Sequence, residues 1–327
     1  MGWRLSIALL SAYLATSGAI ASAQAPDAVY PNRAVRLLAP SAPGGNPDVL
    51  GRLMANRLQE IFGQAFVVEN VPGAGGVVAA KRVEAAAPDG YMLMINDSGA
   101  LAISVAINPE ANYDPVKDFT PITALATVPT VLVINPTVPA KTLQEFITLA
   151  KSKPDAMSFG SAGAGSIHHL TMEIFADRAG IRLLHVPYRG GTAMVNGLLT
   201  GEIQAGWSGI PNVQALIGTG QLRALCLSVL KRSSSLPDVP TCAELGFPGF
   251  DVADMLGLLT SAGLSSKIVA QLQSSIAKVL REREMAERMA TLGIVLEEKG
   301  TADYARFIRD DRDRYAEVVK RLHLEFK

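Results

Sequence analysis

The chain has 327 residues, with 30 lysines and arginines against 30 aspartates and glutamates, and only two cysteines. This length suits two domains of about 150 residues each rather than one core. Zero net charge provides no extended basic surface, so nucleic acid and anionic membrane are not expected as partners. Two cysteines are too few for a disulfide-stapled scaffold or for a cysteine-rich zinc or iron–sulfur site.

The N-terminal segment has the pattern of a secretory signal. Arg4 precedes an apolar stretch from Leu5 to Ile20, and small residues follow. We expect cleavage after Ala23, because Pro26 disfavours a cut after Ala25, and export of the mature chain. The alternative is a retained membrane anchor, but the stretch is shorter than the roughly 20 residues that a span needs. We expect no later segment to enter a membrane.

Strand and helix patterns alternate in the first third of the chain. A strand, a glycine loop and a helix follow one another twice, and a third strand comes next. The predicted order is strand 33–41, glycine loop 44–47, helix 47–62, strand 66–70, glycine loop 72–76, a helix to about 87, and strand 91–97. The first helix carries apolar residues at helical spacing, and Gly63 ends it. This order predicts an α/β domain with a largely parallel sheet.

A second α/β set begins near Thr130. Its predicted strands are 130–135, 157–161, 183–188, 203–209 and 223–229, with helices between them. One of these helices starts at the capping box Thr142–Glu145 and ends before Pro154. A proline-rich connection over 236–250 leads to a further strand at 254–260 and to helices near 267–280, 286–292 and 302–322.

The closing helices have one strand of their own, so they must pack on an existing layer, most economically that of the first domain. We therefore predict a discontinuous first lobe with the second lobe inserted, and chain crossings near 120–130 and 236–251. The predicted division is a signal over 1–23, lobe 1 over 24–125 and 249–327, and lobe 2 over 126–248. Three consecutive units are the alternative.

The loop Ser41–Asp48 has the features of an anion site. It joins a strand to a helix through two glycines; Asn46 is expected to cap the helix, and Pro47 suits its first position, where a missing N–H costs nothing. Free N–H groups and the helix dipole favour a carboxylate or phosphate there. Asp48 opposes this, because its carboxylate competes with an anion or orients water beside it. The alternative is a glycine loop that serves only a tight turn.

The segment Ser161–Leu170 repeats this arrangement in the second half. Two such helix starts on opposed domains can grip one anion, mostly through backbone donors, and the hydroxyls of Ser161 and Ser166 add selectivity. A dinucleotide site is not expected, because His168 stands where the fingerprint needs its third glycine and no acidic residue ends the next strand.

Three other places have weaker signals. Asn96, Ser98 and Gly99 lie where the third strand ends, the edge at which open parallel sheets place their ligands. Arg189 is the best placed lone cation, with a solvated arginine as the alternative. The loop 73–76 resembles a phosphate loop but lacks its Gly-Lys-Ser/Thr ending.

Catalytic and metal chemistry find little support. His168 and His169 lie about 100° apart on a helix and cannot bind one metal from one face. One of them faces the cleft as a hydrogen-bond donor, or is simply packed or solvated. The segment around Ser208 has Ile210 where a nucleophile elbow requires glycine, so the sequence leaves serine-hydrolase chemistry open as an alternative without supporting it. No metal or cofactor is expected. Cys226 and Cys242 either pair in an oxidising compartment or stay free.

From about Tyr30 to the C-terminus, the chain resembles the periplasmic solute-binding receptors of tripartite tricarboxylate transporters, the Bug family. The motifs that carry the resemblance are PNRAVRLLAPSAPGGNPDVLGR, VVENVPGAGG, AAPDGYMLMI, NPEANYDPVKDFTPI, SFGSAGAGSIHHL, HVPYRGG, GEIQAGW and LPDVPTCAELGFPGFDV. The resemblance implies an α/β, two-lobed periplasmic-binding-protein fold of the Venus-flytrap type, with its lobes joined by two chain crossings. Such a receptor closes on an organic carboxylate and delivers it to a membrane permease.

The resemblance also implies the binding residues. The family's ligand loops fall on Ala42–Asn46 in lobe 1 and Ser161–His168 in lobe 2, with further cleft contacts around Asn96–Gly99 and Gly209–Asn212. The predicted ligand-binding residues are Ala42, Gly44, Gly45, Asn46, Asn96, Ser98, Ser161, Ala162, Ala164, Gly165, Ser166, His168, Gly209 and Asn212.

Three departures from the family bear on ligand size. Ser41 and Ala42 follow Pro40 where the family usually has an aromatic residue, Asn46 replaces its usual threonine, and Met255 replaces a common tryptophan. Less bulk near the first loop implies a roomier cleft, and hence an aromatic or long-chain dicarboxylate.

The leading hypothesis is a monomeric, non-enzymatic receptor in the periplasm, not inserted in a membrane, that works with a tripartite transporter permease. Binding by both lobes would favour the closed state. One alternative is an exported hydrolase of small esters that uses Ser161 or Ser208 with a histidine. Another is a ligand sensor that docks on a membrane kinase.

Overall fold

The computed structural model describes residues 30–108, 110–322 and 324, so the predicted signal segment lies outside the described residues. The strands are β1 Val35–Ala39, β2 Phe66–Asn70, β3 Met92–Asn96, β4 Phe119–Ile134, β5 Ser158–Ser161, β6 Leu184–Pro187, β7 Ala205–Gly209, β8 Arg223–Leu227, β9 Ala253–Ser261 and β10 Val295–Leu296. The helices are α1 Asn46–Phe62, α2 Val77–Glu84, α3 Ser104–Ile107, α4 Leu143–Ser152, α5 Ile167–Ala179, α6 Gly191–Thr200, α7 Ile210–Gly218, α8 Ser266–Leu280, α9 Arg283–Thr291 and α10 Thr301–Arg321. A π-helical turn, Gly99–Ile103, leads into α3.

The strands follow the order β2-β1-β3-β9-β4-β7-β5-β6, and β8 and β10 also pair with β4. Pairing is parallel among β1, β2 and β3 and among β5, β6 and β7, whereas β4 and β9 run antiparallel to their neighbours. We call the half with β1–β3, β9 and β10 lobe 1 and the half with β5–β8 lobe 2. This is the predicted two-lobed α/β fold. The exact boundaries after 125 and 248 stay a prediction.

Strand β4 is the first chain crossing, and it is longer than predicted. It pairs with β9 from Phe119 to Pro129 and with β7 and β8 from Thr130 to Ile134. The predicted strand covers only 130–135, and the segment 120–130 is predicted as a chain crossing. Pro121 adjoins a register shift and Pro129 is the last residue paired with β9, so each lies where a strand tolerates an irregularity.

Helices cover both faces of each half and bury its central strands, whereas Val67 of the edge strand β2 and Leu184 of the edge strand β6 are exposed. In lobe 1, α1, α8 and α9 share one apolar cluster, and α2 shares another with the start of α10. In lobe 2, α4 and α5 form a cluster with the end of α10, and α6 and α7 form the last one. The closing helices α8 and α9 therefore lie on lobe 1, whereas α10 packs Tyr304 on lobe 1 and Tyr315 and Val319 on lobe 2.

The end of α1 and the start of α4 form as the sequence predicts. Gly63 ends α1 in the left-handed conformation, with φ of 67°. The Thr142 hydroxyl caps α4 by accepting the Glu145 N–H at 3.2 Å.

Cys226 of β8 is joined to Cys242 by a disulfide, with Cα atoms 5.2 Å apart, so of the two alternatives the pair is formed. Within the described residues, no helix has both the length and the apolarity to cross a bilayer.

Candidate ligand-binding site

The first predicted ligand loop is braced by a buried carboxylate. Asp48, only 3% exposed, accepts the Gly44 N–H at 2.9 Å and the Asn70 side-chain amide at 2.9 Å, and pairs with Arg52. Burial alone would raise the pKa of Asp48, but the hydrogen bonds from Arg52, Gly44 and Asn70 outweigh it and hold the pKa below its ordinary value. Asp48 therefore fixes the loop shape and binds a backbone donor that the sequence assigned to the ligand.

Few backbone N–H groups of this first loop remain available to a ligand. The Gly45 N–H bonds to the Ala42 carbonyl at 3.1 Å, and the Gly44 N–H is bound by Asp48. The N–H groups of Ala42 and Asn46 have no hydrogen-bond partner among the described residues. Of the four predicted residues in the loop, Ala42 and Asn46 therefore keep a backbone donor for a ligand.

Asn46 does not cap α1, contrary to the prediction. Gly45 is the cap residue and makes no side-chain bond, so Asn46 is the first helical residue. Its side-chain oxygen instead accepts the Asn212 amide of α7 at 3.5 Å, and its side chain acts to lower the pKa of the Asp254 carboxyl of β9. A β-carbon built on Gly209 would lie 2.7 Å from Nδ2 of Asn46, so this close approach needs glycine. Asn46 thus links the two lobes.

The second predicted loop, after β5, uses its side chains internally. The Ser161 hydroxyl is fully buried; it accepts the Gly163 N–H at 3.1 Å and lies 2.7 Å from Nε2 of His185. Ser166 caps α5 by accepting the His169 N–H at 3.4 Å, and the Gly165 N–H donates to Nδ1 of His169 at 3.3 Å. These contacts set the loop conformation and turn Ser161 away from a ligand.

Backbone donors remain in this second loop as well. The N–H groups of Ala162, Ala164, Ile167 and His168 have no hydrogen-bond partner among the described residues. Those of Ile167 and His168 belong to the first turn of α5, where the positive end of the helix dipole lies. The predicted contribution of backbone groups therefore fits the geometry better than the predicted contribution of the Ser161 hydroxyl.

The contact between Ser161 and His185 has the appearance of a catalytic pair, but its surroundings do not fit one. Both Ser161 and Ser208 are 0% exposed, which leaves no path for an ester to either hydroxyl. Burial, followed by the nearby His169, lowers the pKa of His185 to about 3, and the two imidazoles are stacked 3.7 Å apart. No carboxylate is seen to orient His185 within the described chain. The hydrolase alternative is therefore not supported.

The end of β3 carries a buried acidic cluster rather than free ligand donors. The Asn96 amide oxygen accepts the Tyr304 hydroxyl at 2.7 Å, and the Ser98 N–H donates to Asp254 at 3.3 Å. Burial raises the pKa of Asp97 to about 6, and burial followed by the charge of Asp97 raises that of Asp254 well above its usual range. The Asn96 side chain thus supports α10, and Ser98 supports β9 through its own N–H and through its hydroxyl, which accepts the Met255 N–H at 3.4 Å. Asp97 lies within the predicted contact segment Asn96–Gly99 but was not one of the predicted ligand-binding residues.

Loops of the two lobes approach each other closely around these residues. A β-carbon on Gly75 would lie 3.2 Å from the Ala164 carbonyl, and one on Gly99 would lie 3.6 Å from the Ile167 nitrogen. These contacts place the start of α5 against lobe 1. The lobes therefore face each other through glycine backbone, as the opposed-loop hypothesis requires.

The start of α6 was not predicted as part of the site, although it lies at its edge. A β-carbon on Gly190 would be 3.4 Å from Cβ of Ala42, and the Thr192 hydroxyl lies 3.5 Å from the Pro43 carbonyl. The signal was present in the sequence, because a strand, two glycines and a helix follow one another there. Arg189, the predicted lone cation, is exposed beside this start.

The two-lobed α/β fold, with facing loops that carry unpaired backbone N–H groups, is that of a solute-binding protein. The family model described as "Tripartite tricarboxylate transporter family receptor" matches residues 50–324, and the chain belongs to this family. Protein BugT of Bordetella pertussis is 34% identical over 323 residues, which cover 98% of both chains. The predicted resemblance to the Bug family is confirmed, and the protein is a solute-binding receptor.

Solved structures support the same assignment. R. palustris Rpa4515, solved with adipate, superposes with a TM-score of 0.87 at 30% identity, covering 90% of this chain and 99% of that one. MatC from Rhodopseudomonas palustris, solved with bound malate, superposes with a TM-score of 0.84 at 31% identity, covering 89% and 100%. The two-lobed fold predicted from the sequence is therefore shared with receptors of known structure.

Proposed function

We propose that this receptor binds an organic carboxylate between the loop Ala42–Asn46 of lobe 1 and the loop Ser161–His168 of lobe 2. The observation that carries the proposal is the set of unpaired backbone N–H groups on both loops, held in shape by Asp48 and Ser166. A charge-assisted hydrogen bond contributes about 1.5–3 kcal/mol net. Micromolar binding corresponds to roughly −8 kcal/mol, so a handful of such bonds shared by the lobes is enough without a cage of cations.

The ligand we propose is an aromatic or long-chain dicarboxylate. Small residues at Ser41 and Ala42 leave room beside the first loop, and a relative with 30% identity was solved with the six-carbon dicarboxylate adipate. Met255 adds nothing to this reasoning, because its side chain is buried in the core of lobe 1 and 6% exposed. The size of the ligand therefore rests on the first loop.

The cellular role follows from the family. We propose that the chain is exported with cleavage after Ala23, acts as a monomer in the periplasm without catalysis, and delivers its ligand to the permease of a tripartite transporter. The predicted signal and the family membership support this assignment. The comparisons lend no support to the kinase-docking sensor.

Ser166→Ala tests the binding site, with Ser265→Ala as its matched control. Ser265 caps α8 by accepting the Ile268 N–H at 3.4 Å, the same bond that Ser166 makes in α5. Both variants should lose about 1 kcal/mol of stability with the cap. Only Ser166→Ala should weaken carboxylate binding, by tenfold or more in calorimetry with mono-, di- and tricarboxylates. Equal affinities in the two variants would reject α5 as a ligand element.

A further inference from the structure

Two histidines behind the second ligand loop are stacked on each other. The ring centroids of His169 of α5 and His185 of β6 lie 3.7 Å apart with 9° between the ring planes, and Phe159 of β5 stacks on His185 at 4.9 Å. The His169 side chain is buried. Two imidazoles this close cannot both carry a charge, because like charges repel strongly where water is excluded. The pair therefore holds at most one added proton.

The proton positions on His169 follow from its contacts. Nδ1 accepts the Gly165 N–H at 3.3 Å, so in the neutral ring this nitrogen has no proton. The proton of the neutral ring is on Nε2, which lies 3.5 Å from the Glu173 carboxylate. A proton added to His169 must therefore go to Nδ1, where it faces the Gly165 N–H and breaks that hydrogen bond.

The surroundings direct an added proton to His169 rather than to His185. The Glu173 carboxylate favours a charged ring on His169, whereas burial, followed by the nearby His169, lowers the pKa of His185 to about 3. The groups that β5 packs on the pair, Phe159 and Ser161, are uncharged. His185 therefore stays neutral from pH 5 to pH 8, and acid acts on the pair through His169.

Gly165, whose N–H is held by His169, lies where the second ligand loop packs against lobe 1. Its φ is 78°, and a β-carbon on it would lie 2.4 Å from Cδ1 of Ile107 and 3.7 Å from the Ser104 hydroxyl, so this close approach needs glycine. Neither of these two α3 residues titrates. The hydrogen bond from Gly165 to His169 thus fixes both the shape of the loop and its contact with the facing lobe.

We propose that His169 is a positioning residue that holds the second ligand loop in its binding shape only while Nδ1 is unprotonated, so that acid releases the ligand. The inference rests on the proposed function, because this loop supplies backbone donors to the carboxylate site. The bound loop needs the Nδ1 acceptor and the released loop does not, so binding in acid should expel a proton. An exposed imidazole titrates near pH 6.5, so the affinity should fall about tenfold between pH 7.5 and pH 5.5.

Calorimetry on the full mature chain compares wild type with a variant that cannot titrate. The probe is the carboxylate that binds wild type most tightly at pH 7.5 among benzoate, adipate, terephthalate and citrate. His169→Asn keeps an acceptor oxygen for the Gly165 N–H but takes up no proton, so it should bind within threefold of wild type at pH 7.5. We expect the affinity of wild type to fall at least fivefold further than that of the variant at pH 5.5. Protonation of the probe affects both proteins equally.

Three further variants separate the effect of the proton from damage to the fold. His169→Phe keeps a ring but removes the acceptor, so it should bind at least tenfold more weakly at pH 7.5 and show no additional loss in acid. His185→Gln keeps a group that can bond the Ser161 hydroxyl and leaves His169 to titrate, so the acid loss should remain. Glu173→Gln removes the carboxylate beside Nε2 and should move the acid loss to lower pH.

A measurement on wild type alone covers the case in which the variants do not fold. In NMR spectra, the Cε1–H signal of His169, assigned through its backbone, should titrate between pH 7.5 and pH 5.5 in the free chain and stay constant in the chain saturated with the probe. A signal that titrates equally in both, or an acid loss that is the same in wild type and His169→Asn, would overturn the inference and leave the proposed function standing. If no carboxylate of the panel binds wild type at pH 7.5, both are refuted.

Discussion

Replacing Asp48 by asparagine tests whether a buried carboxylate sets the shape of the first ligand loop. Asparagine offers one acceptor oxygen, so either the Gly44 N–H or the Asn70 amide then faces an NH2 group. Losing a bond to a charged group and leaving a buried donor unpaired together cost about 2–4 kcal/mol. The ion pair with Arg52 adds little to this figure, because the Arg52 side chain is 55% exposed.

Urea unfolding at several pH values measures this loss. The folded pKa of Asp48 lies below its ordinary value of 3.8, so its stabilisation is complete above pH 3.8 and disappears as the pH falls through the folded pKa. Asp48→Asn should show its full deficit at pH 7 and a shrinking one below pH 3.8. Asp155→Asn is the control, since its ion pair with Arg182 is exposed and should contribute less than about 1 kcal/mol. A deficit below about 0.5 kcal/mol at pH 7 would refute the brace.

Three further predictions use the same measurements. Gly45→Ala places a β-carbon 2.8 Å from the Ser41 side chain and should weaken carboxylate binding at least tenfold. Gly218→Ala is its control, because that β-carbon meets nothing within 4 Å and the affinity should stay unchanged. Asp97→Asn should stabilise the protein at pH 7, because the folded pKa of Asp97 is raised and its ionisation costs stability as the pH rises from 3.8 to about 6. In thermal unfolding the gain in stability should vanish at pH 4, and a gain that does not depend on pH would contradict this origin. Replacing Cys226 and Cys242 by serine opens a loop of sequence separation 16 and should cost about 3 kcal/mol in urea unfolding, with an unchanged midpoint as the contrary result.

Local chemistry explains what the sequence predicted well. The repeated order of strand, glycine loop and helix predicts parallel pairing, and it places successive loops at the same edge of a sheet. The φ of 67° at Gly63 and the cap by Thr142 are set by residues within one turn, so they could be predicted from neighbours alone. The two opposed loops were predicted for the same reason, together with the family resemblance.

The wrong or incomplete predictions concern residues whose partners lie far along the chain. Asn46 is a residue type that favours a cap, but the Asn212 amide, 166 residues away, and the space beside Gly209 place its side chain against lobe 2 instead. Ser161 was expected to face a ligand, yet His185 lies 2.7 Å from its hydroxyl. Such competition between local and tertiary hydrogen bonds has no signature in a single sequence.

Long elements that serve both lobes were also underpredicted. The prolines of β4 argue against a strand when taken locally, and only the change of partner from β9 to β7 and β8 makes them tolerable. The apolar stripe of α10 shows that one face is buried, but the stripe carries no information about which lobe covers each end. Its placement on both lobes depends on the three-dimensional packing.

A crystal structure of the mature chain with its tightest-binding carboxylate would test the central claim most directly. We expect the carboxylate oxygens of a single ligand to accept hydrogen bonds from the backbone of Ala42–Asn46 and from a helix start of lobe 2. A ligand bound outside these loops, or one that contacts a single lobe, would contradict the account.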